Sequence, residues 1–244
     1  MDANIIYFII AGFCAQIIDG ALGMAYGVIS TSILIYLGIP VANASASVKF
    51  SEIFTTLISG ISHFKFGNVD KTLFKKLLIS GVIGGIIGAY ILSSFPGEKI
   101  KPFVTVYLVI MGIVILIKGL KKIETKKVYS KIKILGFIGG LFDAIGGGGW
   151  GPIVTSTLIA RGNSPKETIG SVNAAEFFVT VAQSAVFILC IGLGFWKIIL
   201  GLLIGGIVAA PLGAYLCKII SARILLLLVG ILIIIINTIN LLKL

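Results

Sequence analysis

The sequence predicts an all-α membrane protein: a helical bundle of two inverted repeats, each a broken or re-entrant helix pair followed by three transmembrane helices. Composition, the length of the apolar runs and an internal duplication predict it. The 244 residues are 58% hydrophobic and 12% charged, with a mean hydropathy of +1.14. Soluble chains carry about 25% charged residues to cover their surface, so a soluble domain is excluded. The apolar runs are long and continuous, as from Ile224 to Ile236, whereas barrel strands show short alternating segments. Residues 12 to 52 align without a gap onto 136 to 176, with 14 identities in 41 positions, where a composition this biased gives about four by chance. Further on, Gly88-Ala89-Tyr90 resembles Gly213-Ala214-Tyr215.

Each half opens on an apolar stretch interrupted by glycines, 5 to 38 and 134 to 162. The first is too long for one ordinary crossing: its 34 residues would span about 50 Å against a hydrocarbon core of about 30 Å. Two short helices are expected, broken at Asp19-Gly20-Ala21-Leu22-Gly23 and at Gly146 to Gly149, where glycine permits the turn and close backbone approach. Helices follow at 40 to 64, 73 to 93 and 100 to 118, and at 165 to 192, 196 to 217 and 222 to 242. This divides one integral membrane domain into a first repeat, 1 to 122, a basic cytoplasmic linker, 123 to 133, and a second repeat, 134 to 244.

A hairpin plus three spans leaves an odd number of elements per half, which inverts the repeats. Inversion places 15 of the 20 basic residues on the cytoplasmic side, against 13 without it, as the positive-inside rule favours. Both termini then face outward in a multi-pass protein of the cell membrane. The net charge of +11 lies in loops between apolar runs and reads as an orientation signal, not a nucleic-acid surface. The partners expected are the lipid bilayer and a small anionic substrate; a homo-oligomer is compatible with the sequence but not specified by it. Cys14, Cys190 and Cys217 show no metal or disulfide spacing and are read as buried thiols, and no cofactor or metal is expected.

Four acidic residues fall at membrane depth, where a charge costs roughly 2.5 to 3.5 kcal/mol even on the lenient insertion scale. Asp19 and Asp143 lie at the breaks, and Glu52 and Glu176 lie inside the helices that follow, each pair related by the duplication. Ser45, Lys49, Glu52, Thr56, Ser59 and His63 recur at intervals of four and three and form one polar stripe. Asn173, Glu176, Thr180 and Gln183 repeat that spacing. Two facing stripes line a passage; alternatively, Lys49 and Glu52 pair at i, i+3 and merely hold helices together. The breaks expose unpaired amides at helix N-termini, which suit an anion, while Asp19 and Asp143 act as caps for the second short helices. Trp150 closes the site, contacts substrate or only packs.

The run from Gly139 to Pro152, with Gly170-Ser171-Val172-Asn173 downstream, resembles the second-half signature of the TauE/SafE sulfite exporter family. Gln16 through Gly27 with Ala46-Ser47-Val48-Lys49 is the first-half match, less rich in glycine. The resemblance implies a permease for sulfite, organosulfonates or related sulfur-containing anions, commonly an exporter. On that reading Gly23, Ser47, Lys49, Gly146, Gly147, Gly148, Gly149, Trp150, Ser171 and Asn173 form the substrate site. Glu52 and Glu176 are the proton-linked carboxyls, since burial favours the neutral form, and Asp19 and Asp143 stabilise the breaks. The expected function is alternating-access secondary transport of a small anion. An anion channel and a cation transporter using the four carboxylates are the rivals; an enzyme comes last, with no nucleophile and base in evidence.

Overall fold

The computed structural model describes residues 5–22, 24–120, 131–161, 163–192, 194–219 and 222–242. Ten α-helices are assigned among them: α1 (Ile5–Leu22), α2 (Tyr26–Tyr36), α3 (Val41–Lys65), α4 (Lys71–Ser94), α5 (Gly97–Leu120), α6 (Ile132–Gly146), α7 (Ser156–Ala160), α8 (Pro165–Ile191), α9 (Trp196–Ile219) and α10 (Ala222–Leu242). A π-helical turn, Trp150–Thr155, leads into α7. The described residues are helical with no strand, as composition and run length require. Three segments, Lys71–Ser94, Lys99–Leu120 and Glu167–Ile191, are long and apolar enough to cross a membrane. The outside is apolar, with Ile10, Ile58, Ile79, Phe103 and Leu189 exposed, while Lys49, Glu52, Asp143, Thr180 and Gln183 are buried. This inside-out polarity suits lipid as the solvent.

The first break falls slightly later than the sequence suggested, and the second falls at Gly146 to Gly149 as expected. Asp19 lies within α1, which runs on to Leu22, and Asp143 lies within α6, which ends at Gly146. Each carboxylate reaches forward to the start of the next helix, so the chain turns after the aspartate and not at it. The reading of buried thiols fails for two cysteines: Cys14 and Cys190 are exposed on the outside of the bundle, where lipid would accept them.

Small residues let the helices pair backbone to backbone. Gly12 of α1 abuts Leu202 of α9, and its counterpart Gly136 of α6 abuts Leu77 of α4. Further along the same pairs, Gln16 lies beside Gly206 and Gly140 meets Gly81, so both pairs run parallel. Helix α5 pairs with α10 in the opposite sense, Gly119 against Leu226 and Gly112 against Gly230. The link from α3 to α4 touches the start of α8 through Asn68 with Gly170 and through the Asp70 N–H donated to Ser171 Oγ.

These contacts place the ends of α3 and α5 and the starts of α4, α6 and α8 at one end of the bundle. Lys65, Lys71, Lys75, Lys76 and Arg161 sit there, and it is called the basic end below. The segment from α6 to α7 enters from the basic end and returns to it. The segment from α1 to α2 does the same from the opposite end. Their tips meet, Gly27 lying against the backbone of Gly147 and Gly148.

Candidate functional site

Around these tips lies a cavity of about 360 Å³. Its walls are Gln16, Asp19 and the turn Met24–Val28 from the first broken pair, and Asp143, Gly148, Gly149, Gly151 and Pro152 from the second. Helix α3 adds Thr55, Thr56, Ser59 and His63, and α8 adds Ile169, Asn173 and Glu176. These positions occupy the second half of α3 and the first half of α8, so the cavity extends from the tips toward the basic end.

Behind the wall is a buried ion cluster. Lys49 is fully buried, and its Nζ lies 2.5 Å from Glu52 Oε2 and 2.8 Å from Asp143 Oδ2. Gln183 Nε2 donates to the same Asp143 oxygen at 3.1 Å. The other oxygen, Oδ1, accepts the backbone N–H groups of Gly149 at 2.9 Å and Trp150 at 3.0 Å. In the first half Asp19 Oδ1 accepts the Tyr26 N–H at 3.3 Å. The amides of Gly149 and Trp150 are therefore not free for a ligand, contrary to the expectation of unpaired donors at the break. Their charge complement is the protein's own carboxylate.

The sequence-derived site divides into three groups. Asp19, Asp143, Gly148, Gly149, Asn173 and Glu176 line the cavity. Lys49 and Glu52 lie in the cluster behind it, Glu52 Oε1 being close to Gly27. The rest lie elsewhere. Ser47 Oγ donates to the Asn43 carbonyl within α3, and Ser171 Oγ donates to the Glu167 carbonyl at 2.7 Å while binding the Asp70 N–H. Gly146 packs on the Tyr107 ring and Gly147 on Thr31. Trp150 is fully buried, with Nε1 donating to the Val172 carbonyl at 3.1 Å and its ring filling the space left by Gly81 and Gly139. It packs and does not touch the cavity. Gly23 lies outside the described residues.

Gln16, Tyr26 and Thr55 line the cavity without having been singled out, and Lys118 Nζ caps the Pro152 carbonyl at 2.7 Å. The duplication carried the signal for one of them, since Tyr26 occupies the position of Trp150 in the other half.

An apolar-surfaced bundle with a polar cavity extending toward one end and ionisable groups at depth defines a membrane transport protein. Residues 8–238 match the family model described as Sulfite exporter TauE/SafE. The chain is 43% identical over 244 aligned positions to the "Probable membrane transporter protein YtnM" of Bacillus subtilis (strain 168), covering 96% of this chain and 81% of that one. No solved structure matches the chain. The chain belongs to the TauE/SafE family, as the glycine signature suggested: it is a membrane transporter and not an enzyme, acting in a lipid bilayer on a small substrate.

Proposed function

We propose that the chain carries a small sulfur-containing anion, such as sulfite or an organosulfonate, by proton-coupled alternating access, with export as the working direction. The family description supports the substrate class and the direction. The opposite entry of the two broken segments supports inverted repeats, and the positive-inside rule makes the basic end cytoplasmic, with both termini outside.

The charge balance of the cavity carries the coupling. Asp19 and Glu176 line it without a cationic partner among the described residues, while Lys49 is committed to Glu52 and Asp143. An anion about 5 Å from one ionised carboxylate meets a repulsion of about 3 kcal/mol at an effective dielectric constant of 20. Neutral donors such as Asn173 Nδ2, Ser59 and His63 must then hold the anion while the carboxyls take up protons. Proton and anion consequently occupy the site together and move in the same direction, so export runs down the anion's own outward gradient. Glu176 is the coupling carboxyl of this state, and Glu52, its repeat counterpart, is held in the ion pair.

The test uses protein reconstituted in liposomes with an imposed pH gradient and sulfite, thiosulfate or sulfonates as solutes. Glu176→Gln is expected to fold and reach the bilayer yet lose pH-driven accumulation. Unchanged pH coupling in both Glu176→Gln and Glu52→Gln would overturn the assignment. A flux that dissipates every gradient without accumulation would indicate a channel.

A further inference from the structure

We propose a second, latent anion cavity that opens at the end opposite the basic one, lined by the repeat counterparts of the residues that line the open cavity, with Lys49 as its cationic group. The proposal rests on the alternating-access reading and adds the residues of the state not seen here.

The gap-free register, extended past Glu52 and Glu176, sets the pairs. Asn173 lines the open cavity half-buried, whereas its counterpart Lys49 is fully buried. Glu176 lines the cavity, whereas Glu52 is buried. Ser59 and His63 line it half-buried, whereas Gln183 and Phe187 are sealed in the core. Each of these α3–α8 pairs shows the same sense, whereas at the breaks both members line the cavity, as Asp19 with Asp143 and Met24 with Gly148. The open half of the α3–α8 pair lies toward the basic end, and the closed half is its image at the other.

The closure consists of specific bonds. Ser45 Oγ donates to the Ala144 carbonyl at 2.5 Å, and Lys49 Nζ binds Asp143, both joining α3 to α6. At the open end Ile169, the image of Ser45, lines the cavity, and Asn173, the image of Lys49, donates to Ser59 Oγ at 3.0 Å. Mapping that last bond across the repeat has Lys49 donating to Gln183 Oε1. That oxygen is fully buried and unpartnered in the present state, an acceptor whose donor the exchange would supply. Transport is then an exchange of bonds, Lys49 leaving Asp143 as Asn173 meets Asp19. The opened image cavity presents an ammonium where the basic-end cavity presents an amide, so it binds the anion more tightly.

Single cysteines test this in a background with Cys14, Cys190 and Cys217 replaced by serine, in sealed vesicles of each orientation. The probe is a charged, membrane-impermeant methanethiosulfonate. Ser59→Cys and His63→Cys are expected to react from the basic face alone. Thr180→Cys and Gln183→Cys are expected to react from the opposite face alone, slower by about ten- to a thousandfold, as for a minor state populated at roughly 0.1–10%. Adding Lys49→Gln, or Ser45→Ala where that variant fails to reach the membrane, should raise the rate at 180 and 183 and lower it at 59 and 63. If positions 180 and 183 stay inert in every background while 59 and 63 react from one face, the latent cavity is rejected and the transport reading survives. Ser59→Cys reacting equally from both faces would instead reject alternating access itself.

Discussion

The two breaks occupy equivalent places in the duplication but carry different loads. Asp143 accepts two backbone amides, the Lys49 ammonium and the Gln183 amide, and is almost fully buried. Asp19 accepts the Tyr26 N–H and faces the cavity. The second break is glycine throughout and leads into a π-helical turn, whereas the first carries Met24 and Ala25 and leads into a regular helix. Both carboxylates border the cavity, yet one sequence position has become the hub of a buried ion cluster in one repeat and a single cap in the other. The difference follows from Lys49, which has no equivalent cation at Asn173.

Replacing each aspartate should expose that difference most sharply. Asp143→Ala removes one partner of a buried ion cluster and uncaps two amides, a loss of about 3–5 kcal/mol. Asp19→Ala removes a cap beside a polar cavity and costs about 0.5–2 kcal/mol. Thermal unfolding of both variants in detergent reads the contrast, and equal losses would dissolve it. Gly148→Ala comes next, because its Cβ would collide with the backbone of Gly27 and Val28. Overpacking of this kind costs about 1–3 kcal/mol. The same position in the first half already carries the Met24 side chain, so Met24→Ala should be tolerated far better.

The smallest effect has the opposite sign. Ala25 holds a left-handed backbone at φ 93°, which costs an L-residue about 1–2 kcal/mol. Glycine recovers that strain less its own entropy of about 0.5–1 kcal/mol. Ala25→Gly should therefore raise stability by up to about 1.5 kcal/mol in the same unfolding assay. Its counterpart Gly149→Ala should lower it, since the new methyl would meet the Tyr107 hydroxyl.

Much of the site was legible because the duplication prints it twice. The stripe at intervals of four and three put Thr56, Ser59 and His63 on one face of α3, and they line the cavity together. Asn173 and Glu176 follow on α8 for the same reason. The glycine run misled in part: it marks the turn, yet Gly146 and Gly147 serve close packing on Tyr107 and Thr31. A glycine signals that something approaches closely, and the sequence does not name what approaches. Trp150 fills the hollow at Gly81 and Gly139 for the same reason, a contact that no local pattern encodes.

Hydropathy and period are local properties of a chain, so the sequence by itself determined the membrane bundle, the two broken pairs and the four carboxyls at depth. The tertiary structure alone decided which member of each α3–α8 pair faces the cavity. That outcome rests on contacts between the halves, above all Lys49 with Asp143 and Ser45 with Ala144, which form only when distant segments meet.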